Sequence, residues 1–123
     1  MNIVNITSVC AFTTKDTSTI REIMAPRNSE ITRQSLAEAT LRPGACTEAH
    51  YHPQTEELYY IVQGTALIAI EGETHTAAVG DAIGILPGQR HQIRNLGDED
   101  LVFLCCCVPA YADTDTIMCT PLL

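Results

Sequence analysis

Basic residues are scarce in this chain: seven lysines and arginines stand against 15 acidic residues, for a formal charge of −8 over 123 residues. They are scattered rather than clustered, so the chain repels phosphate backbones and anionic lipid surfaces, and neither nucleic acid nor membrane is an expected partner. Long apolar runs are missing as well, and none approaches the roughly 20 residues that a membrane-spanning helix needs. The opening stretch, Met1 to Phe12, has no Lys or Arg ahead of its apolar residues. It therefore lacks the basic region of a secretory signal, and cytoplasmic residence is the default expectation. No stretch has a clear helical period, no internal repeat is visible, and the six cysteines (10, 46, 105, 106, 107 and 119) lack zinc-finger spacing. Three of them are consecutive, and neighbouring strand residues point to opposite faces, which suits buried reduced thiols better than a disulfide framework.

What is present is one short strand pattern after another. The length fits one domain, and 46% apolar residues is ordinary for a globular chain with a single core. Strands are expected at 36–41, 46–52, 58–63, 65–71, 73–78, 82–86, 91–96 and 101–108, separated by turns at Gly64, Gly72, Gly80, Pro87-Gly88 and Gly97-Asp98. That spacing fits an all-β antiparallel barrel or jelly roll. Residues 35–108 would form the barrel. Residues 1–34 would be a segment covering the barrel or a dimer face, with edge strands at 1–12 and 20–24, and residues 109–123 would be a C-terminal arm without an assigned role. The strands at 66–70 and 101–108 are apolar on both faces, so something must cover the outside: either the N-terminal segment or a second subunit.

The chemistry-bearing stretch begins at Gly44. His50 and His52 stand two apart in a strand pattern, so both imidazoles point to one face. Pro53 ends that strand, and the chain returning along Leu58–Val62 brings Glu57 back beside them. Imidazoles with a carboxylate suit one divalent transition metal (Fe, Mn, Ni, Zn, Co or Cu) rather than an all-oxygen site for a hard cation. A third histidine, His91, follows a glycine turn, a short apolar strand and a Pro-Gly turn. His75 lies outside this pattern, in a Thr-rich strand, and reads as a surface or hydrogen-bonded residue.

Together these residues resemble the cupin family. The first cupin motif, G-x5-H-x-H-x3,4-E-x6-G, falls on Gly44, His50, His52, Glu57 and Gly64; Glu56 competes with Glu57, but only Glu57 keeps six residues before Gly64. The second, G-x5-P-x-G-x2-H-x3-N, falls on Gly80, Gly88, His91 and Asn95, with Leu86 where the motif has its first proline and Pro87 one place later. The resemblance implies a single cupin-type double-stranded β-helix with His50, His52, Glu57 and His91 as metal ligands. It also implies a homodimer, as is usual among single-barrel cupins.

A site of that kind leaves room for a small-molecule substrate. Strand parity places Tyr59 toward the metal as a hydroxyl donor with a catalytic role, and Ile61 and Ile93 as apolar lining. It also leaves Glu48 as a second carboxylate and Cys46 as a nearby thiol, each with a blander alternative. Arg42 and Arg90 flank the motif turns and would either hold a substrate carboxylate or stay solvated. Cupins span dioxygenases, isomerases, epimerases, lyases and decarboxylases as well as storage and regulatory proteins. Two readings follow: a small metal-dependent enzyme of dioxygenase or isomerase type acting on a compact oxygenated metabolite, or a non-catalytic ligand-binding module with a structural metal.

Overall fold

The computed structural model describes residues 1–123. It contains eleven strands, β1 (Phe12–Thr13), β2 (Thr19–Met24), β3 (Ser35–Leu41), β4 (His50–Tyr51), β5 (Glu56–Gln63), β6 (Ala66–Ile70), β7 (Glu73–Ala77), β8 (Ala82–Ile85), β9 (His91–Asn95), β10 (Leu101–Val108) and β11 (Ile117–Met118). Two antiparallel sheets face each other, one ordered β1-β2-β3-β10-β5-β8 and the other β11-β4-β9-β6-β7. This is the all-β antiparallel barrel that the strand spacing implied, in the double-stranded β-helix form that the family resemblance implied, with β1 and β2 added at one edge of the larger sheet.

Inward-facing side chains of both sheets form one core, in which Ile61, Ile93, Leu101 and Phe103 are buried almost completely. Ile61 and Ile93 were expected to line the metal cavity and instead lie within this core. Parity chose their face correctly, but each further step of two residues moves a side chain about 6.6 Å along its strand, which takes both away from the site. Gly64 closes the turn between β5 and β6 at φ +87°, and a Cβ there would stand 3.2 Å from both the Asp100 carbonyl and the Leu101 Cα. Conformation and space both demand glycine.

Two segments depart from the expected strands. The run 46–52 pairs as a strand only over His50–Tyr51, with an isolated bridge between Cys46 and Arg94. Just before β4 one backbone donor is diverted: Glu48 N–H donates to the Asp16 carbonyl at 2.7 Å, in the loop joining β1 to β2, while Thr47 N–H still donates to the Ile93 carbonyl of β9 at 2.9 Å. Residues 1–12 give a 3-10 turn at Ile6–Ser8 and only the first residue of β1. The Asn5 carboxamide accepts from Thr7 N and Thr7 Oγ1, a local bond that competes with strand pairing.

The outer face of the larger sheet is left open. Leu58, Tyr60 and Val62 on β5 are 52%, 45% and 38% exposed, and Val108 on β10 is 51% exposed. The N-terminal strands extend the sheet edge and do not cover this face. No helix is long and apolar enough to cross a membrane.

Candidate metal centre

Four side chains from three elements meet at one buried point. His50 is the first residue of β4 and pairs directly with His91, the first residue of β9. His52 follows β4, and Glu57 comes from the inward face of β5. Their ligand atoms lie within 4.8 Å of one another, and all four residues are buried.

The backbone fixes how the imidazoles are presented. Nδ1 of His50 donates to the Glu48 carbonyl at 2.8 Å, Nδ1 of His52 to the Asp115 carbonyl at 3.0 Å, and Nδ1 of His91 to the Gln89 carbonyl at 2.9 Å. A carbonyl only accepts, so each Nδ1 carries the proton and each Nε2 presents its lone pair inward. The Nε2 atoms of His52 and His91 each stand 3.4 Å from Glu57 Oε1. All three of these atoms are buried without a hydrogen-bond partner. Two lone-pair nitrogens crowding a carboxylate oxygen is unfavourable when nothing sits between them, and a divalent cation removes the conflict. The donor set therefore fits a transition metal.

Electrostatics point the same way. Burial opposes ionisation of Glu57, but the adjacent His52 and His91 outweigh it and hold the carboxyl well below its usual range. Burial, with His91 alongside, lowers His50, so its imidazole is ready as a neutral ligand. For His52, Glu57 outweighs the opposing burial and raises the pKa. A metal would displace a proton held on this pair.

Further residues secure the ligands. Cys107 Sγ donates to Glu57 Oε2 at 3.1 Å, which leaves Oε1 to face the histidines. The Asp115 carboxylate accepts from Gln54 N and Thr55 N in the bend after Pro53 while its carbonyl orients His52. The C-terminal arm, to which sequence patterning gave no role, is thus built into the site through β11 and Asp115. In the second motif the proline's place is taken by Leu86, whose N–H donates to Gln89 Oε1 at 2.8 Å, a bond that proline could not make.

The centre opens onto a cavity with about 50 Å³ of solvent space, room for roughly four water-sized groups. Tyr59, Phe103, Cys105 and Tyr111 supply part of its wall, and the β1–β2 loop together with β2 and β3 supplies most of the rest. Tyr59 is buried beside the metal cluster, its ring 6.0 Å from that of His91, and burial raises its pKa well above the ordinary value. The remaining candidates lie elsewhere. His75, Glu56 and Glu48 are exposed, Arg42 is exposed away from the cavity, Arg90 pairs with Glu71 on the surface at 2.8 Å, and Cys46 is not in the wall. Pattern reading missed Asp16, whose Oδ2 stands 4.0 Å from His50 Nε2. The polar run Thr13–Thr19 carried no signal beyond that of a connector.

The family model described as "Cupin domain" matches residues 37–107. The chain belongs to the cupin family. This cupin is 41% identical over 105 residues to the uncharacterized protein MJ1618 of Methanocaldococcus jannaschii, a match covering 85% of this chain and 84% of the relative. It is 33% identical over 81 residues to the polyketide synthase CurC of Streptomyces cyaneus, a match covering 66% of this chain but 53% of that relative. Among solved structures, a predicted oxalate decarboxylase (tm1287) from Thermotoga maritima superposes with a TM-score of 0.78 at 21% identity, covering 88% of this chain and 99% of that one. That last likeness is one of fold.

Proposed function

We propose that this cupin is a small metal-dependent enzyme of dioxygenase or isomerase type acting on a compact oxygenated metabolite. His50, His52, Glu57 and His91 would hold one divalent transition metal. The observation that carries this reading is the set of three partnerless buried atoms, His52 Nε2, Glu57 Oε1 and His91 Nε2, beside a cavity that admits a small molecule. A purely structural site needs no such opening. When bound, the metal would supply Lewis-acid or oxygen-activating chemistry.

The chain's own residues would do the rest. Cys107 holds the far oxygen of Glu57, and the three backbone carbonyls hold the imidazoles in one tautomer. Tyr59 and Phe103 exclude water from one wall, and Tyr59, kept protonated by its burial, donates a hydrogen bond to a ligand oxygen. Six free cysteines fit a reducing, cytoplasmic setting. The uncovered outer face of the larger sheet fits a homodimer.

Substitution with cobalt tests the open-site reading. Small bidentate oxygen chelators, such as a 2-oxo acid or a catechol, are expected to change the cobalt spectrum, and Tyr59→Phe is expected to retain the metal while weakening turnover. A cobalt spectrum indifferent to every such ligand would transfer the assignment to a non-catalytic binding module with a structural metal.

A further inference from the structure

The cavity has no lysine or arginine among its 17 lining residues, yet it has three carboxylates, Asp16, Glu22 and Glu57. Two of the three are already engaged. Glu57 belongs to the metal cluster, and Glu22 is paired with Arg27, which is not itself in the wall but whose guanidinium lies 5.0 Å from the centre of the ring of Phe12, a wall residue. Asp16 alone keeps an uncommitted negative oxygen facing inward.

Its position is fixed. Oδ1 accepts from Thr14 Oγ1 at 2.7 Å, from Ser18 N at 2.9 Å and from Ser18 Oγ at 2.6 Å. Thr17, at φ +75°, makes the tight turn that brings Ser18 back onto the carboxylate. The bond from Glu48 N to the Asp16 carbonyl ties the loop to the strand that carries His50, and Lys15 Nζ donates to the Thr116 carbonyl at 2.8 Å, tying it to the C-terminal arm. With Oδ1 saturated, Oδ2 is left near His50 Nε2 without a donor of its own.

We infer that Asp16 biases the ligand class of this site toward an uncharged, compact hydroxy-carbonyl compound and away from a carboxylate anion, so that a 2-oxo acid binds more weakly than an uncharged chelator of the same size. The inference rests on the open metal site proposed above. A ligand hydroxyl donates to Asp16 Oδ2, while Tyr59 donates to a ligand oxygen. A carboxylate ligand would gain the charge of the bound metal, but unlike an uncharged chelator it also meets the fixed like charge of Asp16 in a water-poor cavity, where repulsion is stronger than in bulk solvent, with no guanidinium or ammonium in the wall to offset it. The residue discriminates by an attractive contact to one class and a repulsive contact to the other.

A matched pair of probes tests this in the cobalt-loaded protein. Glycolamide and glycolate share one chelating skeleton and differ by one charge. Wild type and Asp16→Asn are first checked for equal cobalt content and equal unliganded spectra, then titrated with each probe while the cobalt absorption is followed. The asparagine keeps an oxygen for the Thr14 and Ser18 bonds and removes the charge. Asp16→Asn should tighten glycolate about tenfold and loosen glycolamide severalfold. Glu73→Gln, at an exposed position on β7 outside the cavity wall, should leave the ratio of the two affinities unchanged. If Asp16→Asn does not fold, Asp16→Ala repeats the comparison.

An unchanged ratio with both probes bound would overturn the inference and leave the open-site reading standing. An altered unliganded spectrum or cobalt content would make Asp16 a direct metal ligand and overturn the inference differently. Cobalt bound in wild type with no response to either probe would overturn the open-site reading and this inference with it.

Discussion

Cys107 is a thiol that behaves as a positioning group. Burial and the neighbouring Glu57 push its pKa far up, so it stays protonated and can donate to Oε2 of Glu57. Cys105, on the same face two residues earlier, is also raised well above its ordinary value, first by burial. A thiol is nucleophilic only as the thiolate. In the native protein at neutral pH, a thiol reagent such as dithionitrobenzoate should therefore react with exposed Cys10 and leave Cys105 and Cys107 untouched until denaturant is added. Fast native-state labelling of Cys107, read by mass spectrometry, would contradict the bond to Glu57. Residue types and spacing made the cluster His50, His52, Glu57 and His91 legible in the sequence, because a motif records which side chains share a face. Asp16 and Asp115 were not legible. They reach the site through loop closure and a backbone carbonyl, and neither leaves a periodic trace.

At the scale of elements, strand patterning foretold β5 through β10 nearly to the residue, since β5, β6, β8 and β10 carry apolar alternation or apolar runs and the polar β7 and β9 are bracketed by turn formers such as Gly72, Gly80, Pro87-Gly88 and Gly97. It overextended β4, where the alternation continues although Glu48 N–H turns to the β1–β2 loop and the side chains of Thr47 and Gln92 take bonds that a regular ladder would make. It also placed Ile61 at the cavity when that side chain belongs to the core. Ile61 is fully buried, so Ile61→Ala should cost about 2–5 kcal/mol of stability from lost burial and the cavity left behind. Because Ile61 is not in the wall of the metal cavity, the variant should bind metal in the same ratio as wild type under native conditions. Thermal melts and metal analysis together check this. A metal-deficient but stable Ile61→Ala protein would put that residue back at the site.

For the whole molecule, the outer face of the larger sheet along β5 and at the end of β10 is apolar and is not covered by one chain. Leu58, Tyr60, Val62 and Val108 form an exposed apolar strip on the larger sheet, of the kind that marks an interaction surface. A homodimer joined there should appear by light scattering at micromolar concentration, and Tyr60→Glu should shift it to monomer without loss of metal. A wild-type monomer under those conditions would remove the dimer from the account.

The central claim is that His50, His52, Glu57 and His91 bind one divalent metal, and metal content reads it most directly. Protein purified without added metal, or reloaded and freed of excess, should carry one ion per chain by elemental analysis. His52→Ala should lose most of it, and His75→Ala should keep it. The metal-loaded wild type should also melt higher than the stripped protein, since a ligand present at 100 times its dissociation constant stabilises the native state by about 2.7 kcal/mol. Full occupancy in His52→Ala, or no uptake by wild type of any of the transition metals considered, would contradict the account.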